Sequence, residues 1–339
     1  MNPYGLPEQT AEGLVPARVI SQEKGVYRVA ARQGEKPAEI TGKLRYRARS
    51  ASEYPAVGDV VAVDWNEGGS AVIHDILPRK SCFLRKAAGA GQGEQVVAAN
   101  IDTVFLCMSL NRDFNLRRLE RYLAAAWESG ASPVIVLTKT DLCAEIEEKR
   151  LAVSSVAMGV DILWVTAAKP DGYAQLQPYI GQGRTVAFIG SSGTGKSTMI
   201  NRLLGEERLE TNGLRNDDRG RHTTTHRELF LLPGGGMVID TPGMRELGMW
   251  DAGEGIDRAF ADIEALTARC RFRDCSHGTE PGCAVRQALA EGRLSPQRWQ
   301  SYQKLRSEND YAEDSRSYLE AKERKFKEIA KYNKANRKR

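Results

Sequence analysis

Between residues 14 and 80, apolar and polar residues alternate in short segments that are separated by turn residues. The segments VPARVI, GVYRVAA, AEITGKLRYRA, GDVVAVDW and AVIHDIL predict five short strands, with no helix of normal length among them. Five strands at this spacing are typical of a small antiparallel barrel, of which the OB-fold is the common nucleic-acid-binding form. We therefore predict an OB-type β-barrel as the first domain, over residues 1–80.

Basic residues recur at every second position of the segment KLRYRAR, at Lys43, Arg45, Arg47 and Arg49. If this segment is a strand, its cations line one face of the sheet. Such a face could follow a nucleic-acid backbone, and the same pattern also fits the solvated face of a half-buried sheet.

From about residue 100 the pattern changes to apolar, β-branched strands that alternate with helical stretches such as LRRLERYLAAAWES. The predicted strands are IDTVFLCMSL, SPVIVLTKTD, VDILWVTAA, GRTVAFIGSS and GGMVIDTPG. This alternation predicts an α/β domain with a largely parallel sheet over residues 81–248. A Gly-, Ala- and Gln-rich segment at 81–98 predicts a flexible linker at its start. Strand signals stop near residue 250, so we predict a third, helical domain over residues 249–339.

The composition is that of a globular protein, with 339 residues, 41% hydrophobic and 27% charged. No apolar run approaches the roughly 18 residues that a bilayer crossing needs. The first residues, MNPYGLPEQTAEG, lack the basic start and apolar stretch of a signal peptide. We therefore expect a cytoplasmic monomer that does not contact a membrane.

The formal net charge of +5 is unevenly distributed along the chain. Residues 322–339 carry a net charge of +7, so the remainder of the chain sums to −2. A cationic tail on a nearly neutral body indicates a polyanionic partner, although a solvated helix without a partner has the same composition.

A phosphate-binding loop is the strongest chemical motif. The stretch GSSGTGKS, Gly190 to Ser197, matches the P-loop pattern at every fixed position, follows the strand TVAFI and opens the helix STMINRLLG. Backbone amides of such a loop converge on the phosphates, and the helix N-terminus adds partial positive charge. Lys196 would reach the β and γ phosphates, which makes it a candidate catalytic residue, and Ser197 would bind Mg²⁺.

The stretch DTPG, Asp240 to Gly243, ends the strand GMVID and fits a DxxG loop. There Asp240 would hold the magnesium through water, and the Gly243 amide would sense the γ phosphate. Upstream lies RGRHTTT, in which Thr223, Thr224 or Thr225 could complete the magnesium shell, or simply cap a turn. The residues do not decide among the three threonines, and we assign Thr224 as the candidate.

The stretch TKTD, Thr138 to Asp141, is the candidate for recognising the base of the nucleotide. The Asp141 carboxylate can accept hydrogen bonds from two donors of guanine, whereas adenine presents an acceptor at one position and no group at the other. Lys139 would pack its aliphatic stem along the base. Thr138 replaces a more usual asparagine, so the contact that ties this loop to the P-loop is expected to differ. A backbone amide from Val165–Ala168 could reach the guanine carbonyl.

Ras-like enzymes carry a glutamine directly after DxxG, but this chain has Met244 there. A thioether cannot orient the attacking water. His222 is the nearest candidate for that role, unless it is only a hydrogen-bonding loop residue or a partner supplies the missing group.

The spacing Cys270-x4-Cys275-x-His277-x5-Cys283 places three thiols and one imidazole within fourteen residues. In a reducing compartment such a cluster predicts a closed structural Zn²⁺ site, for which isolated core cysteines are the alternative. The flanking residues Arg269, Arg271, Arg273 and Arg286 would surround it with cations, as in an RNA-contacting module. The other cysteines, Cys82, Cys107 and Cys143, are expected to be buried small side chains.

These motifs together resemble the circularly permuted GTPases of the RsgA (YjeQ) family, which depend on the small ribosomal subunit. The likeness covers a barrel before the GTPase domain, TKxD ahead of the P-loop, then GRHTTT and DTPG, and finally the Cys₃His pattern. The resemblance implies an OB-fold, a permuted P-loop GTPase domain and a small helical zinc domain. It also implies hydrolysis of GTP to GDP, with Mg²⁺ and one Zn²⁺, that the small subunit and its 16S-type rRNA stimulate late in subunit maturation.

The resemblance carries residue roles to matching positions and makes His222 the stronger catalytic candidate. The implied GTP contacts are Thr138, Lys139, Thr140, Asp141, Gly190, Ser191, Ser192, Gly193, Thr194, Gly195, Lys196, Ser197 and Thr198. The implied zinc ligands are Cys270, Cys275, His277 and Cys283. The alternative hypothesis is an rRNA-binding assembly module that uses GTP mainly as a structural ligand.

Overall fold

A computed structural model describes most of the chain, namely residues 3–8, 10, 13–23, 25–86, 94–111, 113–209, 227–240 and 252–312. His222, Thr223–Thr225, Gly243, Met244 and the basic tail at 322–339 lie outside the described residues. No helix within the described ranges is both long and apolar enough to cross a bilayer.

The first five strands form the predicted barrel. They are β1 (Val15–Glu23), β2 (Val26–Ala31), β3 (Gly34–Ile40), β4 (Val60–Asp64) and β5 (Ala71–Ile76). Their order is β1-β2-β3-β5-β4, and β4 returns to pair with β1, which closes the barrel. Alternate side chains such as Val19, Val29 and Ile73 fill its core. The five-stranded OB-type prediction is therefore confirmed.

The prediction of a strand over KLRYRAR is wrong. The chain leaves β3 at Ile40 and forms a short helix, α1 (Gly42–Arg47). The Thr41 side chain caps this helix by accepting a hydrogen bond from the Leu44 amide at 3.1 Å, and Leu44 packs into the barrel core. The local cap and one buried leucine therefore outweigh the period-two pattern, and the cations do not line one strand face.

The prediction of a flexible linker over residues 81–98 is also wrong, because both ends of this segment are strands. Strands β6 (Cys82–Lys86) and β7 (Glu94–Ala99) pair in an antiparallel hairpin. Phe83, Val97 and Ala98 are buried in the largest apolar core of the described residues. The Gly-rich segment 87–93 between the two strands lies outside the described residues.

The α/β domain is built on six further strands. They are β8 (Thr103–Ser109), β9 (Ser132–Thr138), β10 (Asp161–Trp164), β11 (Thr185–Gly190), β12 (Arg227–Leu231) and β13 (Met237–Asp240). Their order is β10-β9-β8-β11-β13-β12, in which only β12 is antiparallel. The five parallel strands are the five predicted ones, whereas β12 has no counterpart among the predictions. Its helices include α2 (Leu116–Glu128), α3 (Ile146–Ser154) and α4 (Lys196–Leu204).

The barrel and the α/β domain share one continuous sheet. Strand β12 pairs with β1 through Gln22↔Arg227 and Ser21↔Glu228, which gives a sheet of eleven strands. The buried Arg18 side chain crosses this junction and donates to the Thr185 hydroxyl at 2.7 Å. The barrel is therefore attached directly to the edge strand of the α/β domain.

The C-terminal part is helical, as predicted. Its elements are α5 (Gly253–Ala259), α6 (Ala261–Thr267), α7 (Ala284–Ala290) and α8, whose described part covers 296–312. Helix α5 packs so closely on α2 that a Cβ at Gly255 would lie 2.1 Å from the Ala124 carbonyl oxygen. Only glycine permits this approach of two backbones.

A buried ionic cluster fixes these helices on α2. The Glu120 carboxylate is 0% exposed and accepts hydrogen bonds from Arg298 at 2.8 Å, Ser301 at 2.6 Å and Arg117 at 2.6 Å. Arg298 also binds both oxygens of Asp262 at 2.6 and 2.8 Å. A buried charge that lost one such partner would be strongly destabilising, so the network fixes where the C-terminal helices dock.

Candidate nucleotide and zinc sites

The P-loop lies where β11 ends and α4 begins. Strand β11 runs so close to β8 that a Cβ at Gly190 would lie 2.3 Å from the Cys107 carbonyl oxygen, which requires glycine at this position. Gly195 has a φ of 89° and leads directly into Lys196, the first residue of α4. The loop therefore brings its backbone to a helix N-terminus, where phosphates bind in this type of motif.

The Lys196 ammonium group lies inside this loop. Its Nζ donates to the carbonyl oxygens of Gly190 at 2.7 Å and Ser191 at 2.6 Å. Phosphate oxygens of a bound nucleotide would compete for the same donors, since the ammonium group has three protons. The contact of Lys196 with the phosphates therefore stays a prediction, while its ammonium group lies within the loop expected to bind them.

Thr138 joins the base-reading loop to the P-loop. Its hydroxyl donates to the Thr194 carbonyl oxygen at 2.9 Å, and the two residues are 4% and 0% exposed. The sequence analysis expected Thr138, in place of asparagine, to alter the contact between this loop and the P-loop. In the structure the threonine hydroxyl group makes that contact. Because β9, β8 and β11 are parallel neighbours, their carboxyl ends meet at one edge of the sheet, and Thr138 closes the gap between the two loops.

The residues expected to read the base lie beside this contact. Lys139 has a left-handed φ of 58°, which turns the chain into a short 3₁₀ helix over Thr140–Leu142. The exposed Asp141 carboxylate accepts a hydrogen bond from the Thr166 hydroxyl, which orients it. The Ala168 amide donates to the same hydroxyl at 3.1 Å. The segment Val165–Ala168 thus supports Asp141 directly, a role that the sequence prediction did not include.

Asp240 lies at the end of β13, which is parallel to β11. Burial raises the pKa of its carboxyl group, and the nearby Lys196 ammonium partly offsets this effect. The Asp240 carboxylate and the Ser197 hydroxyl offer hard oxygen ligands of the kind that Mg²⁺ prefers, so they fit the predicted ion. The other two groups predicted for this end of the site, Thr224 and Gly243, lie outside the described residues.

The four predicted zinc ligands come together in space. The Cys270 sulfur lies 3.9 Å from the Cys283 sulfur, and both sulfurs lie 3.5 Å from the His277 Nδ1 atom. All four ligand atoms, with that of Cys275, fall within 4.8 Å of one another. Zn–S bonds of about 2.3 Å and Zn–N bonds of about 2.0 Å give tetrahedron edges of about 3.8 Å between sulfurs and about 3.5 Å between sulfur and nitrogen. The cluster therefore fits one tetrahedral zinc ion.

The surroundings of this cluster favour metal binding over a cluster of core cysteines. Burial alone would raise the pKa of Cys270, but hydrogen bonds from the backbone amides of Ala284 and Val285 lower it overall, whereas burial and the neighbouring thiols raise the pKa of Cys275 to about 11, so one thiol of the cluster loses its proton more readily than the other. His277 has a left-handed φ of 60°, and the Trp299 ring meets its imidazole edge-on at 5.4 Å between centroids. The imidazole is thus fixed between the thiols and helix α8.

The site also contains a residue that the sequence did not indicate. Arg118, in the first turn of α2, donates to the Ser191 hydroxyl of the P-loop and to Asp113. No motif surrounds Arg118, and the contact depends on the neighbouring positions of β8 and β11. Only a prediction of the strand order, which the sequence analysis did not include, could have pointed to it.

Comparison with known proteins identifies relatives along most of the chain. The family model described as RsgA GTPase matches residues 76–250. A curated protein of Lactiplantibacillus plantarum, small ribosomal subunit biogenesis GTPase RsgA 2, is 50% identical over 88% of this chain and 84% of its own length. The Oceanobacillus iheyensis protein named small ribosomal subunit biogenesis GTPase RsgA 1 is 46% identical over 95% of this chain and 93% of its own.

Two solved structures share the fold. The crystal structure of YjeQ from Thermotoga maritima has a TM-score of 0.64 and 26% identity, and covers 86% of this chain and 96% of its own. The structure of YloQ, a circularly permuted GTPase, has a TM-score of 0.63 and 24% identity, and covers 91% and 98% of the two chains. The permuted order of the motifs is therefore a property of the shared fold.

The Thr138 contact yields a direct prediction. Thr138→Val removes the hydroxyl and leaves the Thr194 carbonyl oxygen without this donor, a loss worth about 1 kcal/mol. We expect the affinity for GDP, measured by fluorescent-nucleotide titration, to fall by roughly five- to tenfold. Thr185→Val removes another buried hydroxyl at the opposite end of β11 and should leave the affinity unchanged. Equal GDP affinities for wild type and Thr138→Val would contradict a role of this hydrogen bond in nucleotide binding.

The cysteine cluster yields a second prediction, on metal content. The purified protein should contain about one equivalent of zinc, and removing it with a strong chelator should lower the melting temperature, because a structural ion contributes to folding. Cys270→Ser should lose the metal, whereas Cys143→Ser should retain it. A Cys270→Ser variant with unchanged zinc content would rule out the assigned ligand set.

Proposed function

We infer that this chain, which belongs to the RsgA GTPase family, hydrolyses GTP to GDP and phosphate while it acts on the small ribosomal subunit during late maturation. The family model covers more than half of the chain, and the curated relatives are named small ribosomal subunit biogenesis GTPases. The alternative of an rRNA-binding module with GTP as a structural ligand is not favoured, because the relatives are named GTPases. A cytoplasmic, monomeric protein is part of the proposal.

The observation that carries this proposal is the hydrogen bond from Thr138 to the Thr194 carbonyl oxygen. It joins a carboxylate suited to guanine, that of Asp141, to a phosphate-binding loop at one edge of the sheet. An adenine nucleotide would not supply the two donors that Asp141 accepts, so guanine specificity follows from the same arrangement.

We assign the nucleotide-binding roles within this edge. Asp141 reads the base while Lys139 packs along it, and Thr140 supports the loop through its hydrogen bond to the Val165 carbonyl oxygen at 3.3 Å. The backbone of residues 190–198 binds the phosphates, together with Lys196. A magnesium ion held by Ser197, Asp240 and Thr224 would neutralise developing charge on the phosphates. Gly243 is proposed to sense the γ phosphate.

His222 is proposed to orient the attacking water, since Met244 cannot. Its segment, 210–226, directly precedes β12, and β12 pairs with β13, which ends at Asp240. Because the two strands are antiparallel, the start of β12 lies beside Asp240 at the end of β13. The small subunit is proposed to stabilise the hydrolytic arrangement of this segment, which gives slow turnover alone and faster turnover on the subunit.

Three cationic regions support contact with 16S-type rRNA. On α1, the Tyr46 side chain is 94% exposed and follows the exposed Lys43 and Arg45, and an aromatic ring beside cations suits stacking on bases beside phosphates. Around the zinc site, four exposed arginines provide a second region: Arg269, Arg271, Arg273 and Arg286. The tail at 322–339, with its net charge of +7, is the third.

The permuted order is proposed to link the nucleotide to these rRNA contacts. The chain leaves Asp240, passes through residues 241–251 and enters the zinc domain at Ala252, whose amide donates to the Asn309 side chain of α8 at 2.6 Å. The DxxG loop therefore continues into the docked helices. A flexible insertion after Leu247 that left GTP-dependent subunit binding intact would count against this link.

The proposed function predicts hydrolysis that depends on the subunit. Purified small subunits should raise the GTP hydrolysis rate by roughly 100-fold or more, as external activation does in related enzymes, whereas large subunits should not. His222→Ala should bind GDP as tightly as wild type and lose most of the stimulated rate. Hydrolysis that small subunits leave unchanged would contradict the proposed partner, and an unchanged His222→Ala rate would end the catalytic assignment.

A further inference from the structure

Arg118 lies beside the phosphate-binding loop because of two local features. Asn115 caps helix α2 by accepting a hydrogen bond from the Arg118 amide at 3.0 Å, which starts the helix directly after β8. Strand β8 is the parallel neighbour of β11, so the start of α2 and the P-loop follow adjacent strands at the same edge. The Arg118 side chain, 33% exposed, thus reaches the P-loop from a rigid element.

The Arg118 guanidinium makes two contacts there. It donates to the Ser191 hydroxyl and forms an ion pair with Asp113. The second carboxylate oxygen of Asp113 is buried and has no hydrogen-bond partner in the part of the chain that the structure describes. The planar, permanently charged guanidinium can serve both partners at once, whereas the single ammonium group of a lysine would do so less well.

Ser191 is also held from its backbone side. Its carbonyl oxygen accepts hydrogen bonds from the Lys196 Nζ at 2.6 Å and the Thr194 hydroxyl at 2.9 Å. To reach phosphate oxygens, the Lys196 ammonium must direct protons away from this carbonyl. The contact from Arg118 to the Ser191 side chain does not depend on that change, and it can keep the first turn of the loop in place.

We propose that Arg118 is a positioning residue for nucleotide binding: it holds Ser191, and with it the P-loop, in the form that accepts the phosphates. Asp113 orients Arg118 for this purpose. The same contact places a permanent cation beside the loop, which favours the negatively charged phosphate chain. The identity of the nucleotide rests on the proposed function.

A purely structural role of Arg118 in helix α2 is the competing explanation. The neighbouring turn of α2 carries Arg121, which forms a two-point ion pair with Glu308 of helix α8 at 2.5 and 3.0 Å. Arg121 has a similar exposure, 29%, and lies on the same helix without contact to the P-loop in the described structure. Arg121→Ala is therefore a matched control for lost helix stability.

The experiment is a double-mutant cycle on nucleotide affinity, which does not require hydrolysis. Fluorescent GDP and a non-hydrolysable GTP analogue are titrated against wild type, Arg118→Ala, Arg118→Lys, Ser191→Ala, the double variant Arg118→Ala/Ser191→Ala, and Arg121→Ala. We expect Arg118→Ala to weaken binding by about tenfold, as for the loss of one charge-assisted hydrogen bond. Arg118→Lys should recover part of the loss, and Arg121→Ala should bind as wild type does.

Coupling between the two residues decides the outcome. Because Arg118 acts through Ser191, the double variant should bind no more weakly than Arg118→Ala alone. The proposal is overturned if Arg118→Ala binds as wild type does, if the two losses simply multiply, or if Arg121→Ala shows the same loss. A chain that binds guanine nucleotides with this coupling but shows no subunit-stimulated hydrolysis would contradict the proposed function and leave the role of Arg118 supported.

Discussion

The hydrogen bond from the Thr138 hydroxyl to the Thr194 carbonyl oxygen makes one site out of two segments that are 56 residues apart. It can form because parallel strands deliver their carboxyl ends to one edge of a sheet, whatever their order in the chain. The TKTD loop precedes the P-loop in this sequence, and the sheet still places β9 two positions from β11. The permutation therefore changes the connections between strands and leaves the arrangement of the site intact.

The connections that result attach both outer domains close to the nucleotide edge. Strand β12 follows the segment that contains His222 and pairs on its other side with β1 of the barrel. On the opposite side of the site, helix α2 contacts the P-loop through Arg118 and binds the C-terminal helices through Glu120 and Arg121. The barrel is thus joined to the nucleotide edge through β12, and the C-terminal helices are joined to it through α2.

The sequence predicts those parts of the structure that local chemistry determines. The P-loop is recognisable because its glycines, lysine and helix start are contiguous, and the Cys₃His cluster because its four members lie within fourteen residues. Features that depend on long-range packing escape prediction. Helix α1 results from one cap and one buried leucine, and β12 is a strand because β1 and β13 flank it. Arg118 becomes part of the site only through the adjacency of β8 and β11. The ionic cluster around Glu120 brings together residues almost 180 positions apart, so no local sequence pattern predicts it.

The central claim is that Asp141, placed ahead of the P-loop in the sequence, reads the guanine base of a nucleotide bound at residues 190–198. The most direct measurement is the affinity of wild type and Asp141→Asn for GDP and for xanthosine diphosphate. In xanthine a carbonyl oxygen replaces the amino group of guanine, so an asparagine amide can donate where the carboxylate accepted. Asp141→Asn should therefore lose GDP affinity and gain affinity for xanthosine diphosphate. Unchanged GDP affinity in Asp141→Asn would contradict the central claim.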